Sequence, residues 1–165
     1  MTLAEANSLI VDLSHVKIDK FGVRDYNIQE LGKTLCKPDV LRASVNALLA
    51  TKPESVLAFA VNYDHLEQLA EQIEERTGKP VTRITTRNPW KPTGKLVVSG
   101  VYLASAMVAS GMVLPKTEML AILRPTLNPV LQQSMLRHAR PNQHFFQISA
   151  RTVAFEPPPQ DPFSL

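Results

Sequence analysis

A chain of 165 residues, 44% of them hydrophobic and 20% charged, suits one globular domain with a single core and excludes a disordered or collagen-like chain. Its apolar runs are too short and too interrupted to span a membrane, and MTLAEANSLIVDLSHVKIDK has no basic segment ahead of an apolar core, so no secretory signal and an intracellular setting are expected. The net charge of +3 conceals an asymmetry: residues 1–75 hold seven Lys/Arg against twelve Asp/Glu, whereas residues 76–155 hold eleven against Glu118 alone. Such clustering favours a polyanionic partner, because phosphates reward grouped cations through counterion release; the alternative is that the acidic half packs against the basic half.

In chain order, NIQE (27–30) is a capping-box pattern that opens a short helix running to Leu35. KPDVLRASVNALLATKP (37–53) gives a second helix, with Val40, Leu41, Val45, Leu48 and Leu49 on one stripe. SVLAFAV (55–61) is a continuous apolar run of strand length, expected to be covered on both faces. DHLEQLAEQIEERTGKP follows as a helix, with Asp64 and Glu67 as another capping box and Gly78 at its C-terminal end. VTRIT (81–85) alternates like a strand, and TRNPWKPTGK (86–95) is a basic, proline-containing loop. LVVSGVYLAS and EMLAILR (118–124) read as strands, and NPVLQQSMLRHAR (128–140) as a helix with Asn128 as cap and Pro129 in its first turn. HFFQIS (144–149) is a further strand, with RTVAF as a candidate continuation. The tail EPPPQDPFSL favours polyproline geometry; its Phe163, with Phe155 just ahead of it, would suit docking on a partner. Alternation of strands and helices implies an α/β fold with a mostly parallel sheet.

This order of elements is similar to the C-terminal RecA-like domain of superfamily 2 helicases of the DEAD/DEAH type. SVLAFAVNYDHLEQLAEQIEERTGKPV resembles motif IV and its following helix, and residues 101–141 resemble motifs V and VI. In that register Gly111 and Pro115 fall on the motif V glycine and proline, and Arg124, Pro125 and Thr126 on the A-R-P-T strand end. Gln133, Arg137 and Arg140 match Q-x-x-G-R-x-x-R. VDLSHVKIDKFGVRDYNIQELGK resembles the approach to this domain. The resemblance implies a lead-in at 1–26, a three-layer RecA-like domain at 27–155 with helices on both faces, and a Pro-rich tail at 156–165. The departures are specific: Val113 stands for the motif V aspartate, Ala109 and Ser110 for its threonine pair, and Leu136 for the motif VI glycine. The stretch between VTRIT and motif V is short, so one family helix is expected to be missing.

A helicase motor hydrolyses ATP between two such domains, the first supplying a P-loop and Mg²⁺-binding acids. RTGKP and PTGKL each contain Gly-Lys but lack the earlier glycine and the following Ser/Thr, so the chain is expected to have no ATPase site and no cofactor of its own. ATP and Mg²⁺ enter only if it pairs with an N-terminal motor domain, for which Arg137 and Arg140, three apart on one helix face, are arginine-finger candidates. Trp90 among Arg83, Arg87, Lys91 and Lys95 is a candidate stacking platform for a nucleic-acid base; otherwise it covers core left open by the absent helix. With Arg124, Arg137 and Arg140, these make up the nucleic-acid-binding candidates.

Cys36, the sole cysteine, is read as a small core residue, and His15, His65, His138 and His144 show no metal-ligand spacing. Three functions compete. One is a non-catalytic, helicase-derived module that binds nucleic acid (RNA or DNA), protein or both in a nucleoprotein assembly. Another is the C-terminal motor half of a helicase completed by a separate chain, and the third is a protein-only scaffold.

Overall fold

The computed structural model describes residues 6–91 and 98–151. Lys95, the continuation of the last strand through residue 155 and the Pro-rich tail with Phe155 and Phe163 lie outside the described residues. The elements are β1 (Ala6–Val11), β2 (Ile18–Asp19), β3 (Asp25–Tyr26), α1 (Ile28–Leu35), α2 (Pro38–Leu49), β4 (Ser55–Ala60) and α3 (Tyr63–Thr77). They continue as β5 (Thr82–Ile84), β6 (Gly100–Ser105), a 3-10 turn (Ala106–Ala109), β7 (Met119–Ile122), α4 (Pro129–Leu136) and β8 (His144–Ala150).

Six strands form one sheet in the order β1-β8-β7-β4-β6-β5, every pair parallel. The expected α/β class with a parallel sheet is borne out. β4 lies in the middle with all six residues buried, which is why it reads as an unbroken apolar run. Its alternate side chains separate two cores. Val56, Ala58 and Ala60 meet α1, α2 and α3 through Leu31, Leu35, Leu41, Val45, Leu48, Leu66 and Leu69. Leu57 and Phe59 point the other way, toward the 3-10 turn and Met135 of α4. Each fully buried Leu or Phe contributes about 1.5–3 kcal/mol relative to exposure.

The second face is the thinner one. Among the described residues no helix lies between β5 and β6, and Trp90 packs there against the core of Leu57, Phe59 and Ile84.

Residues 6–11, assigned from sequence to a lead-in ahead of the domain, form the edge strand of the main sheet, paired from Ala6↔Phe145 to Val11↔Ala150. The same segment adds the small antiparallel hairpin β2–β3, turned at Gly22 with φ 75°. The structure therefore has no break at residue 27.

Helix ends differ from the sequence reading where tertiary partners intervene. Asn27 Oδ1 caps α1 by accepting from Glu30 N, but the Asn27 N–H donates to Lys17 O, so the reciprocal half of the box does not form. Asn62, rather than Asp64, caps α3 by accepting from His65 N at 2.9 Å, while Glu67 turns to Arg83. α2 ends at Leu49 rather than 53, because the chain turns through Lys52 in the left-handed region (φ 49°) before entering β4. Gly78 ends α3 at φ 68°, as expected of a C-terminal glycine.

Where α1 crosses the start of α3 the approach is close: a Cβ on Gly32 would lie 2.6 Å from Asn62 Nδ2. Beneath this crossing His65 is fully buried and its Nδ1 accepts from Val61 N at 3.1 Å. Nε2 therefore carries the proton and has no hydrogen-bond partner among the described residues. Burial pulls the His65 pKa down to about 4.

Candidate functional site

Beyond β6 the chain makes the 3-10 turn, started by Ser105 Oγ accepting from Met107 N, and then an open loop to β7. Facing it is α4, whose start is fixed by Asn128 Oδ1 accepting from Val130 N and Leu131 N, with Pro129 supplying a preset φ. α4 stops at Leu136, one turn earlier than the sequence pattern implied. Arg137 is its C-terminal cap, and Arg140 lies beyond it, in the turn that Pro141 and Asn142 (φ 64°) make before β8. The two arginines therefore do not share a helix face.

Arg137 grips the loop instead. Its Nε donates to Ala109 O at 2.9 Å and its Nη2 to Met112 O at 3.3 Å. His138 Nε2 donates to the same Ala109 carbonyl at 2.9 Å, which sets its tautomer, and its ring lies 5.5 Å from that of Phe59. Burial lowers the His138 pKa and the adjacent Arg137 charge adds to this, against the Ala109 hydrogen bond. Gln143, buried, ties the turn after α4 to the chain before β7: its Nε2 donates to Thr117 O, and its Oε1 accepts from Arg140 N. The result is a shallow concavity of about 430 Å³ lined by Gly111, Val113, Pro115, Lys116, Arg137, His138 and Arg140 among others, with no carboxylate in its wall among the described residues.

The residues in register with motifs V and VI thus meet around one hollow, although Gln133 contributes only its carbonyl, which accepts from Arg137 N. Val113, at the position of the family aspartate, is 70% exposed on the wall. Leu136, at the family glycine, is 38% exposed and outside the lining. A Cβ on Gly111 would meet nothing within 4 Å, so packing does not demand a glycine there.

The other sequence candidates are dispersed. Arg83 is committed to the acidic helix α3: Nε donates to both Glu67 carboxylate oxygens, and Nη1 and Nη2 to the two of Glu74. This pairing raises the Arg83 pKa and, with Val81 N, holds Glu74 down to about 2. Arg124 is 5% exposed; its Nη2 meets Asp25 Oδ2 at 3.2 Å and its Nη1 donates to Pro125 O. Burial lowers its pKa, against the attraction of Asp25. Asp25 also accepts from Thr126 Oγ1 and Leu127 N, tying the hairpin to the chain after β7. Arg83 and Arg124 are thus both ion-paired, and Trp90 is partly buried against the second core. Arg87, Lys91 and Arg140 are exposed. Arg87 borders a more apolar hollow of about 570 Å³ with Ile28, Tyr63 and Met107.

Lys116 and His138 were missed from sequence because nothing local marks them; the shared motif V–VI hollow was the only available signal. Among the described residues no three His, Cys, Asp or Glu side chains gather to hold a metal ion, and Cys36 is half-buried, with its thiol pKa raised by burial. No described helix is long and apolar enough to cross a membrane.

No family model matches the sequence, and no curated protein matches it. Among solved structures, the C-terminal part of the Fun30 ATPase domain superposes with a TM-score of 0.51 at 15% identity, covering 69% of this chain and 41% of that one. The chain therefore spans less than half of the structure it resembles, and the likeness concerns the fold. The described residues form a RecA-like α/β domain with the fold of the C-terminal part of the Fun30 ATPase domain.

Proposed function

We propose that this domain is a non-catalytic, helicase-derived module that binds the phosphate backbone of RNA or DNA within a larger nucleoprotein assembly. The observation that carries this reading is the concavity: Lys116, Arg137 and Arg140 line it and no carboxylate does. Cations grouped this way release condensed counterions when phosphates replace them. A motor role is disfavoured by the same geometry, because Arg137 is engaged with two loop carbonyls and valine stands at the motif V aspartate. In this reading the chain has no ATPase site of its own, and ATP with Mg²⁺ enters only through a partner that carries a P-loop.

Fluorescence anisotropy with labelled oligonucleotides at several salt concentrations tests the proposal. The Lys116→Ala/Arg140→Ala double variant is expected to bind more weakly, with the log–log salt slope reduced by about 0.7 per lost single-strand phosphate contact. Absence of oligonucleotide binding at low salt would leave the protein-only scaffold in its place. The convergence of Gly111, Arg137 and Arg140 on one hollow favours a second reading, the C-terminal motor half of a helicase acting in trans. That reading gains if Arg140→Ala abolishes ATP hydrolysis by a co-purifying P-loop protein.

A further inference from the structure

The hairpin β2–β3 is small, yet it is firmly seated. Its two carboxylates are used at its base: Asp25 holds Arg124, Thr126 and Leu127, and Asp19 Oδ2 accepts from Asn27 Nδ2. Tyr26 packs on the first core, and Asn27, the next residue, caps α1. Gly22 in the left-handed region turns the tip, a conformation an L side chain rarely adopts.

What this mount presents is Phe21, fully exposed, with Val23 64% exposed behind it. Lys20 and Arg24 flank the ring in sequence and are exposed, and among the described residues neither takes part in an ion pair. A fully exposed ring between two cations offers a π-face on which a base can stack while the cations meet phosphates. With Asp19 and Asp25 hydrogen-bonded at the base, the tip presents Phe21 and Val23 beside Lys20 and Arg24, which among the described residues have no ion-pair partner.

We propose that the Phe21 hairpin is a single-strand nucleic-acid contact, in which one unpaired base stacks on the Phe21 ring while Lys20 and Arg24 meet the adjoining phosphates. Stacking plus paired cations is how single strands are held without sequence preference, because every base offers a π-face. The position suits this role. The hairpin is tied to the chain just before α4, and the cationic concavity lies at the far end of α4, an eight-residue helix about 12 Å long. The inference rests on the nucleic-acid reading above but assigns a separate contact to separate residues.

The test measures anisotropy of the full 165-residue chain with labelled oligothymidylate, oligouridylate and a duplex of matched length. Phe21→Ala and Phe21→Leu are expected to weaken single-strand binding by about 5- to 150-fold, with the salt slope unchanged. Phe21→Trp retains it, and duplex binding is unaffected by all three. Lys20→Ala/Arg24→Ala is expected to lower the single-strand salt slope by about 0.7 per residue. Phe21 touches no core, so unchanged circular dichroism melting controls for folding.

Wild-type oligonucleotide binding that Phe21→Ala leaves intact overturns the hairpin contact while the concavity reading stands. No oligonucleotide binding by the wild type overturns both. Full binding by Phe21→Leu removes stacking. Phe21-dependent sedimentation with phosphatidylserine vesicles, without a Phe21 effect on oligonucleotides, assigns the tip to a membrane surface instead.

Discussion

Lowering the pH should weaken this fold through His65 before its carboxylates matter. In the native state the ring is fully buried and its Nδ1 accepts from Val61 N, so a second proton would charge a buried group that has no counterion among the described residues. The native pKa accordingly falls from 6.5 to about 4 by burial. The unfolded chain takes up the proton near pH 6.5 and the native chain does not until about 4, so protonation favours the unfolded state throughout that window. The His65 contribution is flat above pH 6.5, declines as pH drops, and levels off below about 4. At 1.36 kcal/mol per pH unit the loss is about 3 kcal/mol, a large part of a small domain's stability. The Glu74 carboxylate, held down to about 2, contributes its own loss only below its unfolded value near 4.5. Urea unfolding followed by far-UV circular dichroism at pH 7, 6, 5 and 4.5 gives the wild-type slope. His65→Asn keeps an acceptor for Val61 N but cannot ionise, so its slope should shrink to the part due to His138, whose pKa is also lowered by burial. Equal slopes for wild type and His65→Asn would refute the argument.

Other consequences are open to equally direct measurement. Asp25→Ala should cost about 3–5 kcal/mol in chemical denaturation by stranding the buried Arg124, and Asp25→Ala/Arg124→Met should recover part of it; a single-variant cost below about 1 kcal/mol contradicts the anchor. Gly32→Ala should destabilise through the clash with Asn62, despite alanine's intrinsic helix advantage of about 1 kcal/mol. In an Asn62→Ser background, where a shorter side chain still caps α3, the same substitution should become stabilising. Lys52→Gly should raise the thermal midpoint, with a gain of about 0.5–1 kcal/mol from relief of the left-handed backbone.

The parts of the fold governed by local chemistry were readable in the sequence. β4 shows as an apolar run because both its faces are covered, and Asn27, Gly78 and Asn128 mark helix ends by their own backbone geometry. β1 was not readable: ANSLIV has no partner nearby, and its assignment depends on β8 at the other end of the sheet. The site divides in the same way. Motif V and VI register brought Gly111, Arg137 and Arg140 to one hollow, but which cations stay available is a tertiary matter. Arg83 is neutralised by Glu67 and Glu74 one helix away, and Arg124 by Asp25 across 99 positions. These pairs join the acidic half to the basic half, so the charge asymmetry overstates the free positive surface.

The sheet order also has a consequence for how the molecule comes into being. Among the described strands β1 is synthesised first, and β8, its neighbour in the sheet, is synthesised last. Until β8 is extruded, β1 can pair with nothing in its own sheet, and β7 presents a bare edge where β8 will insert. Closing that span is the largest loop-entropy term in the sheet, and such distant pairings slow folding. A nascent chain stalled before His144 therefore exposes two open edges, on β1 and β7, that both await β8, and a β8 from a neighbouring copy on one polysome can fill either.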